Sequence, residues 1–225
     1  KKTFFKIFKY GMILLVLLCV GIFVYIKTSP KPEIYSANNI TLYDSTDTVF
    51  FQGNESKAWV SLDEISDNVI KSTIYTEDKN FYKHFGFDIL RILKASYINI
   101  TSGKTMQGAS TITQQYAKNL FLDFDKTWKR KWDEMWYTMK IENNYSKDEI
   151  LECYLNIVNF GSGTSGVQAA SNVYFNKNIE DCSVAECASI AVITKNPTKY
   201  NPFNNQEGNK RRRDITIKEM FKQKK

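Results

Sequence analysis

Glu77 and Asp78 stand side by side in Thr76-Glu-Asp-Lys-Asn-Phe-Tyr-Lys-His-Phe-Gly-Phe-Asp88, a stretch that also holds the only histidine, His84. The pattern reads as a helix that ends near the acid pair and breaks into a loop, with Asp88 placed to cap the next helix. Aromatic walls at such a junction, here Tyr75, Phe81 and Phe85, would desolvate Glu77 and strengthen it as a general base. A solvated surface pair is the competing use of an isolated Glu-Asp.

Three further stretches carry polar groups at useful spacings. Gly103 to Asn119 is a glycine-containing loop feeding a helix whose first turn brings Ser110, Thr111, Thr113 and Gln114 together. Hydroxyls, amides and free backbone N–H groups at a helix start suit an anion or sugar hydroxyls, although the P-loop spacing is absent and a well-capped structural helix is the plainer reading. Lys126-Thr-Trp-Lys-Arg-Lys-Trp-Asp-Glu134 places Arg130 and Glu134 four apart on one helical face, the spacing of an ion pair. Lys147 to Asn156, rich in carboxylates, leads into the glycine-rich loop Asn159-Phe-Gly-Ser-Gly-Thr-Ser-Gly166, and Lys210-Arg-Arg-Arg213 opens a final helix after Asn196-Pro197 and Pro202.

The elements that must position these groups are mostly helices. Capping boxes of the form S/T-x-x-E/Q announce helix starts at Ser61/Glu64, Thr111/Gln114, Ser146/Glu149 and Ser183/Glu186. Trp128, Trp132, Met135, Trp136 and Met139 recur at helical spacing, a stripe expected to face the core. Alternating segments at residues 40–43 and 48–51, around Asp44 and Gly53, predict a small hairpin. The fold class is mainly α.

The N-terminus is different in kind. Gly11 to Ile26 has no charged or strongly polar residue, and adding residues 7–10 gives a run long enough to cross a bilayer's ~30 Å hydrocarbon core. No small-x-small cleavage site follows it, which favours a retained anchor over a signal peptide. The chain's net charge of +7 is concentrated here: residues 1–27 hold five lysines and no acid, leaving 26 basic against 24 acidic residues elsewhere. A nearly neutral remainder argues against a nucleic-acid partner. Lysines ahead of the span predict a cytoplasmic N-terminus and an extracytoplasmic domain at the cell membrane. Cysteines 153, 182 and 187 outside the span are odd in number and lack a CxxC, so they read as packing residues and not as a disulfide or zinc framework. The expected organisation is a tail and anchor over 1–27, a stalk with a small hairpin over 28–60, and a helical domain over 61–225.

In order, EDKNFYKHFGFD (77–88), GASTITQQYAKN (108–119), RKWDE (130–134), KDEILECYLNIVNFG (147–161) and RRDITIKEM (212–220) resemble the five motifs of the peptidoglycan glycosyltransferase domain, glycosyltransferase family 51. That domain occurs in monofunctional transglycosylases and at the front of class A penicillin-binding proteins. The resemblance implies a lysozyme-like, two-lobed α fold with a partly hydrophobic jaw on the membrane, for which Phe87, Ile89, Leu90, Ile92, Leu93, Tyr97 and Ile98 are the jaw candidates; core packing is their alternative use. It implies polymerisation of lipid II, with a growing lipid-linked glycan as donor, inversion at the sugar, and release of undecaprenyl diphosphate. It places Glu77 as base and Glu134 near the diphosphate, organising cations or a divalent metal (Mg2+ or Mn2+) indirectly, with no organic cofactor. Ser110, Thr111, Gln114, Gln115, Lys118, Asn119, Lys126, Arg130, Lys131 and Arg212 are the implied substrate-binding residues; Lys126 stands where the family pattern leads one to expect arginine. The implied partners are lipid II, the membrane and cell-wall synthesis proteins. A lytic glycosidase of similar fold would not need the phosphate-binding segments, and a non-catalytic scaffold would not need both Glu77 and Glu134. All of this requires Glu77 and Glu134 to share one groove.

Overall fold

The computed structural model describes residues 2–34, 41–43, 49–52, 59–104, 108–122 and 127–222. Among them the chain forms α1 (Lys2–Thr28), strands β1 (Thr41–Tyr43) and β2 (Val49–Gln52), and helices α2 (Asp67–Glu77), α3 (Ile89–Ser102), α4 (Ile112–Phe121), α5 (Trp128–Asn144), α6 (Lys147–Ile157), α7 (Val167–Phe175), α8 (Val184–Ile193) and α9 (Gln206–Lys222). The two strands pair antiparallel, Leu42 opposite Phe51. The hairpin expected around Asp44 and Gly53 has its connecting residues outside the described ones.

α8 is the hub. Its sequence, VAECASIAVI, is apolar except for Glu186 in the first turn and Ser189, and every residue from Cys187 to Ile193 is buried. α2 and α9 pack against it and against each other. The α2–α9 seam contains two buried polar pairs, Thr76 with Thr216 (3.2 Å between hydroxyls) and Ser72 with the Met220 sulfur. The same core continues through α4, α5 and α6 around the fully buried Tyr116 and Tyr154. Cys153, Cys182 and Cys187 are free and buried, as packing residues should be.

Three of the four capping boxes start helices where expected: Thr111/Gln114 for α4, Ser146/Glu149 for α6 and Ser183/Glu186 for α8. Asp88 caps α3 by accepting from the Arg91 amide. The fourth box closes only a turn. The Ser61 hydroxyl donates to Glu64 at 2.7 Å, but Ser66 is the N-cap of the helix that follows. α9 opens at Gln206, one turn before the basic run expected to begin it.

The tryptophan stripe of α5 does not face the core. Trp128 and Trp132 are exposed, and the buried residues of α5 are Glu134, Thr138, Ile141 and Glu142. The polar face turns inward because partners await it there: Glu142 accepts from the Thr113 hydroxyl and the Lys147 ammonium, and the Thr138 hydroxyl donates to the Glu134 carbonyl. Gly86 lets the preceding loop approach this face closely; a Cβ there would lie 2.7 Å from Thr138 Cγ2.

α1 contains one stretch, Phe5–Thr28, long and apolar enough to cross a membrane, and none of its most apolar window is buried in the protein. Its far end is fastened to the helical domain. The Tyr25 ring lies 5.0 Å from that of Trp136, and the Tyr145 hydroxyl donates to the Pro32 carbonyl. α3 buries only Ala95 and turns Leu90, Leu93, Tyr97 and Ile100 outward at helical spacing.

Candidate active site

Glu77 is the last residue of α2 and is 4% exposed. Polar donors surround its carboxylate in place of the expected aromatic walls. Oε1 accepts from the Thr194 hydroxyl at 2.7 Å; Oε2 accepts from Gln115 Nε2 at 2.7 Å and faces Lys195 Nζ at 3.4 Å. Of the three expected aromatic residues, Tyr75 lines the same cleft as Glu77, Phe85 is exposed and Phe81 lies in the core. The Gln115 amide can point only one way. A carboxylate accepts and never donates, so Nε2 must face Glu77, which leaves Oε1 to accept from the Tyr154 hydroxyl at 3.1 Å. Burial, and then the charge of Glu77, push the Tyr154 phenol well above its ordinary pKa, so it stays a donor.

Asp78, fully buried, ties three elements together behind Glu77. It accepts from His84 Nε2 at 3.0 Å and from the Ile112 amide at 3.1 Å, the first residue of α4. An anion at a helix N-terminus satisfies an orphan donor and the helix dipole together. Arg91 of α3 lies 3.9 Å from Asp78 and donates to the Glu77 carbonyl, a cation at the C-terminal end of α2. Asp88 lies close by and its carboxyl is held below the usual range: burial opposes this, but hydrogen bonds from Asn80 and the Arg91 amide, with the charges of His84 and Arg91, prevail.

Glu134 is also buried, at 3% exposure. Its Oε2 meets Arg130 Nη1 at 3.3 Å, the i,i+4 pair expected from the spacing, and its Oε1 meets Lys131. Gln114 Nε2 approaches the same Oε1 at 3.5 Å. Consecutive residues of α4 thus reach the two carboxylates, Gln114 toward Glu134 and Gln115 toward Glu77. Both Glu134 oxygens are thus turned to cations or an amide, and among the described residues no group of three or more His, Cys, Asp or Glu side chains gathers.

A cleft of about 830 Å³ opens over Glu77. Of the candidate site residues, Glu77 and Arg212 line it, with Gly108 from the loop before α4; Glu134, Arg130 and Lys131 are not on its wall, and Glu134 is joined to Glu77 through the neighbouring glutamines of α4 and not by a shared lining. The sequence reading missed the other cations on its wall: Lys79, Arg91, Lys94, Lys195 and Lys199. Lys79 is paired with Glu219 at 2.6 Å. Burial, and the charges of Arg91 and Arg212, pull the Lys195 ammonium below its ordinary pKa against the opposing pull of Glu77. Arg212 has a buried Nε with no hydrogen-bond partner among the described residues.

The remaining candidates divide by exposure. Thr111 is wholly buried and its hydroxyl is committed to the Gly86 carbonyl and the Gln114 amide, so it holds the start of α4. Gln114 completes the same capping box. Ser110 and Lys118 are half-buried and Asn119 is exposed. Lys126 lies outside the described residues. The glycine-rich loop 159–166 is pinned: the Phe160 amide donates to the Thr164 carbonyl, the Tyr174 hydroxyl to the Phe160 carbonyl, and Asn201 to Ser162. Through Asn201 it braces the segment that follows Lys195. Thr194 and Lys195 left no signal beyond their place at the end of α8, before Asn196-Pro197.

A transglycosylase family model matches residues 45–221. The chain is 43% identical over 199 residues to penicillin-binding protein 2D of Bacillus subtilis, covering 88% of this chain and 29% of that protein. It is 38% identical over 219 residues to penicillin-binding protein 1A of Aquifex aeolicus (93% of this chain, 30% of the relative) and 37% identical over 186 residues to penicillin-binding protein 1A of Neisseria gonorrhoeae (82% and 23%). The chain therefore spans less than a third of the length of these relatives. The match over residues 45–221 includes all five motifs and both carboxylate clusters, and the chain belongs to the transglycosylase family, as a peptidoglycan glycosyltransferase domain.

Proposed function

We propose that this domain polymerises lipid II, with Glu77 as the base and a cation-lined cleft receiving the diphosphate. The observation that carries the reading is the joining of two buried carboxylates through adjacent glutamines of α4, beside a cleft rich in lysine and arginine. A carboxylate offers about four acceptor sites. Thr194, Gln115 and Lys195 approach three around Glu77, which leaves one for the acceptor hydroxyl.

In the proposed step Glu77 takes the proton of the glucosamine 4-hydroxyl as that oxygen attacks C1 of the donor muramyl sugar. The bond from C1 to the diphosphate oxygen breaks on the opposite face, its electron pair leaves with undecaprenyl diphosphate, and the sugar inverts. General-base help is worth roughly 10²–10⁴-fold. Lys195 and Arg212 on the cleft wall, together with Arg130 and Lys131, supply preorganised positive charge for the departing anion. Glu134 holds the latter two in place. Ser110, Lys118 and Asn119 offer polar groups to phosphate or sugar, while Thr111 and Gln114 act by fixing α4. Holding both lipid-linked reactants in line contributes on a scale comparable to the acid–base chemistry.

α1 would tether the domain to the membrane that carries its substrates, on the side away from the cytoplasm if the N-terminal lysines follow the positive-inside bias. The outward apolar face of α3 would lie against that membrane. The test is incubation of the full chain with fluorescent lipid II. Lengthening glycan with release of undecaprenyl diphosphate supports the proposal; cleavage of preformed glycan without synthesis contradicts it.

A further inference from the structure

α5 turns two tryptophans to the outside: Trp128 is 85% exposed and Trp132 is 67% exposed. One turn further along the same stripe, Trp136 packs on Tyr25, three residues from the end of α1. At ~1.5 Å per residue, Trp132 and Trp128 lie roughly 6 and 12 Å along α5 from that contact. If α1 crosses a bilayer, Tyr25 is at its edge, and both indoles are within reach of the head-group layer when α5 runs close to the membrane plane. Two neighbouring bare indoles are an unusual feature of a surface meant for water alone, whereas an amphipathic ring is at home at a membrane interface. Lys129 is exposed between them, and the same turn carries Arg130 and Lys131. Tryptophan alternating with basic residues is the composition of a helix lying on anionic lipid.

We propose that the first two turns of α5 lie in the head-group layer of the bilayer that α1 spans, anchored by Trp128 and Trp132. The anchor and α5 would then hold the membrane at two points, and the Arg130–Glu134–Lys131 cluster would be kept at the depth where lipid phosphates lie. The proposal depends on α1 as a span and not on the polymerase reaction.

The full chain is reconstituted in vesicles of phosphatidylglycerol and phosphatidylcholine, some carrying lipid brominated near the head-group end of the acyl chain. Tryptophan emission is measured for the wild type and for Trp128→Phe/Trp132→Phe, which keeps the apolar surface and removes the two fluorophores. Brominated lipid should quench the wild type, and the double variant should lose at least half of the quenchable emission. Both indoles open to acrylamide from water, with no quenching by brominated lipid, would overturn the proposal. So would shielding that depends on the protein-to-lipid ratio without such quenching, since a second copy would then cover the face. Failure of the chain to float with the vesicles would overturn the span and this proposal together, leaving the reaction in the cleft to its own test.

Discussion

Gln115 donates its amide to Glu77 across 2.7 Å, from a different helix and 38 residues away in sequence. The contact fixes which carboxylate oxygen remains accessible, and the Tyr154 hydroxyl fixes the amide in turn. Glu77 is therefore set by a chain of donors that runs from α6 through α4.

Gln115→Leu tests that chain. The substitution keeps most of the volume but takes from the Tyr154 hydroxyl its Gln115 acceptor and leaves Glu77 Oε2 with Lys195 alone, a loss of about 1–3 kcal/mol in folding stability. We expect kcat to fall by about tenfold or more with a smaller change in KM, because the base is mispositioned while the cleft is intact. Steady-state polymerisation kinetics with urea unfolding measure both; an unchanged kcat would show that the contact does not position the base.

Lys195 predicts a pH dependence. Burial sets its folded-state pKa below that of free lysine, so the ammonium is lost as pH rises through the lowered value. Activity that needs this charge should decline on the alkaline side before an ordinary lysine titrates. Lys195→Arg should move that limb to higher pH, since a guanidinium does not deprotonate in the accessible range. Lys195→Met should depress kcat/KM at all pH values and abolish the limb. A profile of kcat/KM against pH for the three proteins decides; an alkaline limb unchanged in Lys195→Arg would assign it to another group.

Glu142 predicts a stability effect remote from the cleft. It is buried between the Thr113 hydroxyl and Lys147 Nζ, the latter at 2.6 Å. Lys147→Met leaves the carboxylate buried without its cation and should cost about 3 kcal/mol. Adding Glu142→Gln should restore a good part of that loss. Urea denaturation of the single and double variants measures the recovery, and strictly additive losses would contradict the pairing.

Local signals were legible where local chemistry decides the outcome. Thr111, Ser146 and Ser183 start helices because side chain and backbone satisfy each other within three residues, and Asp88 does the same for α3. Ser61 shows the limit: its box closes, yet the chain turns and restarts at Ser66. The inward face of α5 was misread because periodicity reports where apolar residues fall and says nothing of what waits opposite. Thr113 and Lys147 make a polar face worth burying, and the anchor's Tyr25 takes part of the apolar one. The motifs pointed to Glu77, Glu134 and Gln115, which α4 brings together in the structure. They did not point to Thr194 and Lys195, because a lysine 118 residues from its glutamate becomes a neighbour only when α8 packs against α2.

The central claim is that Glu77 is the base that activates the acceptor. Glu77→Gln keeps the shape and a partner for Thr194, so the fold should survive, as circular dichroism and thermal unfolding can verify. The decisive measurement is glycan synthesis from labelled lipid II by this variant, alongside its binding of the same substrate. We predict binding within a few-fold of the wild type and polymerisation reduced at least about a hundredfold. Glycan chains made at the wild-type rate by Glu77→Gln would contradict the account.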